Sequence, residues 1–171
     1  MKKIILFFML VSLTAANCMA ETSIFNNYAA LFKKSGYEVI PLPDNNTRTF
    51  GKGHIVVFFR NTNGYIYEGF VTTTGSYPDK EFVNAIGSLY GQIEQSLRET
   101  GFIKESSTTE KLNSIAATIN TQVYKSTQKS NTSLKEKVTE YNYSELITIR
   151  GTFIPDKQKN QGMTMIKIWA K

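Results

Sequence analysis

The chain has one histidine, His54, placed where a Gly51-Lys52-Gly53 turn runs into an apolar strand. A metal site built on it would need carboxylates or carbonyls from elsewhere, because the single cysteine, Cys18, falls in the leader described below. The reading is therefore a strand-start residue, with no metal and no cofactor. The glycines of that turn are not a dinucleotide fingerprint, since Val56 stands where the third glycine belongs. Ser126-Thr127-Gln128-Lys129 puts a lysine one helical turn from a serine, but the lysine-threonine-glycine element that accompanies such a nucleophile is absent. In Gly87-Ser88-Leu89-Tyr90-Gly91 the serine is misplaced for a nucleophile elbow. Two glycines one turn apart instead predict a smooth patch where another element approaches closely.

Residue types that bind are better represented. Tyr65 with Tyr67, and Tyr141 with Tyr143, each fall at i, i+2 spacing and so on one face of an extended strand. If both strands share an uncovered sheet face, four rings form a platform for a glycan, a peptide or a partner strand. Lys157 and Lys159 sit in a polar connection, and Lys125, Lys129, Lys135 and Lys137 form a second basic group. Either group fits anionic lipid headgroups or an acidic protein face.

The compartment comes from the first 20 residues. Lys2 and Lys3 precede a 13-residue apolar run, Ile4 to Ala16, and Cys18-Met19-Ala20 puts small residues at a cleavage site. As a helix this run spans only about 20 Å, short of a hydrocarbon core of roughly 30 Å. Residues 1–20 therefore read as a signal peptide, with no transmembrane span in the mature chain and a periplasmic or secreted destination. The alternative is an outer-membrane lipoprotein acylated at Cys18, a reading weakened by Asn17 before the cysteine and Ala15 three residues back.

Residues 21–171 are then a single domain large enough for a core. Two of the 20 basic residues leave with the leader while all 14 acidic residues stay, so the mature net charge is +4. An exported chain whose only arginines are Arg48, Arg60, Arg98 and Arg150 lacks the dense basic patch of a nucleic-acid binder.

The elements that position these residues follow from periodicity. Ile24, Tyr28 and Leu31, with Phe25 and Phe32, predict a first helix closed by Gly36; Tyr37 to Leu42 is a short strand, and Asp44 to Gly53 a polar loop. His54 to Arg60, apolar throughout and so expected to be covered on both faces, pairs with Tyr65 to Thr74 through an Asn63-Gly64 turn. A helix carrying Phe82, Ile86, Leu89, Ile93 and Leu97 ends at Gly101. A second opens on a Ser107 and Glu110 capping box. Val138 to Ile154 reads as one strand, joined to Met163 to Ala170 by the loop Pro155 to Gly162.

The order α-β-β-β-α-α-β-β, with two hairpins, implies an α+β fold: a mainly antiparallel five-stranded sheet with helices on one face. Such a chain is expected to be a non-enzymatic binding or adaptor protein with a protein partner in the cell envelope, such as an accessory factor of secretion or pilus machinery. The alternatives are an inhibitor or immunity protein acting through Asp44 to Gly53 or Pro155 to Gly162, and a small cell-wall hydrolase using a carboxylate or His54.

Overall fold

A computed structural model describes residues 23–44, 46–74, 80–104, 108–128, 137–142, 146–156 and 161–171. The leader with Cys18, and Tyr143, Lys157 and Lys159, lie outside them. In chain order the elements are α1 (Ser23–Lys34), β1 (Glu38–Ile40), β2 (Thr47–Lys52), β3 (Ile55–Thr62), β4 (Tyr65–Thr74), α2 (Lys80–Glu99), α3 (Thr109–Gln128), β5 (Lys137–Asn142), β6 (Ile147–Asp156) and β7 (Gln161–Ala170). The fold is α+β and the sheet antiparallel throughout, but it has seven strands, ordered β1-β2-β3-β4-β7-β6-β5.

Two expectations about strands need correction. The stretch Asp44 to Gly53 is mostly strand, with β2 paired to both β1 and β3. Turns are confined to its two ends: the Asn46 amide donates to Asp44 Oδ1 at 2.7 Å at the start, and Gly53, at φ 58°, opens the β2–β3 turn at the close. Thr47, Thr49 and Phe50 then behave as the β-branched and aromatic residues they are, and all three are buried. The glycines misled because Gly51 is a strand residue, opposite Glu38 in β1 and Val56 in β3, and only Gly53 makes the turn. In the second half, Val138 to Ile154 is two strands, β5 folding back on β6 with Tyr141 opposite Ile149. Alternation continues in sequence across this reversal, so periodicity did not mark it.

The turns and caps expected from glycine are present. Gly36, at φ 80°, donates to the Lys33 carbonyl while Tyr37 donates to that of Phe32, both at 3.0 Å, which closes α1 in a Schellman motif. Gly101 closes α2 in the same way. At the start of α3, Thr108 Oγ1 accepts from the Lys111 amide at 3.3 Å, while Ser107 lies outside the described residues.

One register row, Phe50-Val57-Val71-Ile166, runs fully buried across four strands. Helices cover this face. Tyr28 of α1 packs on Phe59 with ring centroids 4.6 Å apart, and Phe32 stacks on Phe50 at 5.5 Å. Leu89 of α2 lies on Gly69. α3 crosses α2 at Gly87 and Gly91, where Leu112 and Ala116 come close, so the smooth patch expected there is a helix crossing. The opposite face of the sheet carries none of the described helices.

Candidate binding face

Register builds the open face residue by residue. Neighbouring strands place Phe58, Phe70, Lys167 and Arg150 in one row. Arg60, Glu68, Trp169 and Thr148 form the row on one side, and Val56, Thr72, Met165 and Thr152 the row on the other. The expectation that β3 is covered on both faces fails here: Ile55, Val57 and Phe59 are buried under the helices, while Val56 and Phe58 are half-buried. Its continuous apolar run reflects an apolar second face, not a second covering layer.

The rings of Phe58 and Phe70 stand stacked, 4.6 Å apart and 10° from parallel. Trp169 is approached by two cations, Arg150 Cζ and Lys167 Nζ, each 5.4 Å from its ring centroid. Glu68 accepts from Arg60 Nη1 at 2.9 Å and faces Lys167 Nζ at 3.7 Å. At this exposure each ion pair contributes at most about 1 kcal/mol and each cation–π contact about 0.5–1 kcal/mol. Together they set Arg60, Glu68, Lys167 and Arg150 around the aromatic rings, so that the face presents aromatic surface beside paired charges. Tryptophan and arginine set in apolar surroundings are the residue types that anchor protein partners.

Of the tyrosines singled out from spacing, Tyr65 and Tyr67 do come together, with centroids 6.1 Å apart, but both are half-buried against the core. A bulge intervenes as well: Arg60 opposes Glu68 and Asn61 opposes Ile66, so Tyr67 has no partner in β3. That extra residue lets Ile66 turn into the core, where it is fully buried, and its amide donates to Ser96 Oγ at 3.0 Å. Tyr141 lies on β5, three strand spacings or about 14 Å from β4. The described residues therefore bring one tyrosine pair together and do not join it to Tyr141. His54 is exposed in the β2–β3 turn, where its carbonyl accepts from the Thr74 amide.

Sequence reasoning missed Phe58, Phe70, Trp169, Lys167 and Glu68 as a group. The available signal was alternation in β7, where Met163, Met165, Lys167 and Trp169 interleave with Thr164, Ile166 and Ile168. Comparison with protein-family models, curated proteins and solved structures finds no match, so the functional reading rests on these residues.

Proposed function

We propose that the chain is an exported, non-enzymatic binding or adaptor protein that holds a protein partner of the cell envelope on the open sheet face. The observation that carries this reading is the face itself. Three central strands, β3, β4 and β7, present half-buried Val56, Phe58, Phe70, Met165 and Trp169 on the side away from the helices, in a chain whose core is already closed on the other. A broad apolar patch rimmed by polar groups marks an interaction surface.

The test places a photo-crosslinking residue at Lys167 on this face and, as a control, at Lys111 on α3, and irradiates living cells. The expected result is one envelope protein captured from position 167 and not from 111, and lost when Trp169→Ala is added. Equal capture from both positions, or capture insensitive to Trp169→Ala, overturns the reading.

A further inference from the structure

The helical layer carries a second site, on the far side of the core from the open sheet face. Asn84, Ser88, Gln92 and Gln95 recur at spacings of four, four and three along α2, which places them on one stripe of the helix. With Asn113 of α3 they line an open groove of about 540 Å³. Gly87 and Gly91 contribute to its floor, and Leu112 is its one large apolar side chain. The volume falls within the roughly 300–1,000 Å³ of sites that take small ligands.

The lining chemistry narrows the ligand. Carboxamides and hydroxyls each donate and accept hydrogen bonds, as the hydroxyl and acetamido groups of a sugar do. Glu94 and Arg98, also in the wall, balance in charge, so the groove has no surplus of either sign to select an ion. Gln95 is held by donating its amide to Glu99 Oε1 at 3.0 Å, which leaves its own carbonyl oxygen as an acceptor. A bound peptide would need pockets for alternate side chains, and two glycines beside one leucine do not make a row of them. From this lining we infer that the groove binds a short, uncharged oligosaccharide. The inference stands apart from the protein partner proposed for the sheet face.

The experiment titrates the isotope-labelled protein with tri-N-acetylchitotriose, with maltotriose and with a tetra-aspartate peptide, following backbone amides by NMR. Saturable shifts confined to residues 84–95 and 112–113 are expected with at least one trisaccharide, weakened at least tenfold by Gln92→Ala with Asn113→Ala. Both positions lack full burial, so the spectrum should report an intact fold, and Asn84→Ala gives an independent check. No saturable shift with either sugar overturns the inference. So does preferential binding of the peptide in the groove, or sugar shifts that map to Trp169 and survive the double substitution.

Discussion

Gly69 of β4 lies directly beneath Leu89 of α2: a Cβ at position 69 would stand 2.9 Å from Leu89 Cδ1 and 2.5 Å from the Phe58 carbonyl oxygen. The absence of a side chain there sets how closely the central helix approaches the sheet. Gly69→Ala is therefore expected to destabilise the protein by about 1–3 kcal/mol through overpacking, read as a lower urea midpoint. Lys111→Ala, exposed on α3, should leave the midpoint unchanged within about 0.5 kcal/mol.

A different glycine separates strain from space. Gly101 sits at φ 82° with no atom within 4 Å of a would-be Cβ. Gly101→Ala should cost about 1–2 kcal/mol purely from the left-handed backbone. Gly101→Asn should cost less, since asparagine tolerates that region. Equal losses for the two, measured by denaturant unfolding, would point to a steric cause instead.

The phenol of Tyr28 gives the stability a pH dependence of definite sign. Its hydroxyl is fully buried with no hydrogen-bond partner, and burial pushes its pKa far above the usual value. The nearby Ser88 side chain opposes this without overcoming it, and Tyr37 adds to it. The unfolded chain ionises near pH 10 while the folded chain cannot, so stability is intact below that pH and falls above it, by about 1.4 kcal/mol per unit. Urea unfolding between pH 9 and 11 should show this loss, and Tyr28→Phe should remove its share of the slope. At pH 7 the same substitution should be nearly neutral, because it deletes an unpaired buried hydroxyl.

On the open face, Phe70→Ala should weaken partner capture at least tenfold. It removes one ring of the Phe58–Phe70 stack, a pairing worth about 0.5–1.5 kcal/mol beyond burial. Tyr65→Ala, whose ring packs against the core, should lower stability more and capture less. Binding and melting measured on both variants check the ordering, and the reverse order would move the contact surface to the tyrosines.

α1 and α2 were legible because each buries a stripe at helical spacing and stops at a glycine whose φ is positive, Gly36 and Gly101. The Asn63-Gly64 turn was legible for the same reason, with both residues at positive φ. β2 was not, because a glycine paired within a strand, Gly51, looks in sequence like a glycine that makes a turn, Gly53. The binding face was hidden by pairing at long range. Nothing local tells Phe58 that it will stand beside Phe70 and in line with Lys167 and Arg150, and the extra residue in β4 lets Tyr65 and Tyr67 come together against the core instead of on the open face. The polar groove was half visible: Gly87 and Gly91 announced the crossing, but its partner helix supplied Asn113 and Leu112.

β7 follows every other element in chain order, yet it occupies the seam between β4 and β6. The β1–β4 meander and the β5–β6 hairpin can each pair locally, but they become one sheet only when β7 enters between them, matching Glu68 with Trp169 on one side and Trp169 with Thr148 on the other. Closure of this kind waits on contacts distant in sequence and is slow. The closing strand thus acts as a clock: until it arrives, the two halves of the sheet have no shared core to resist unfolding.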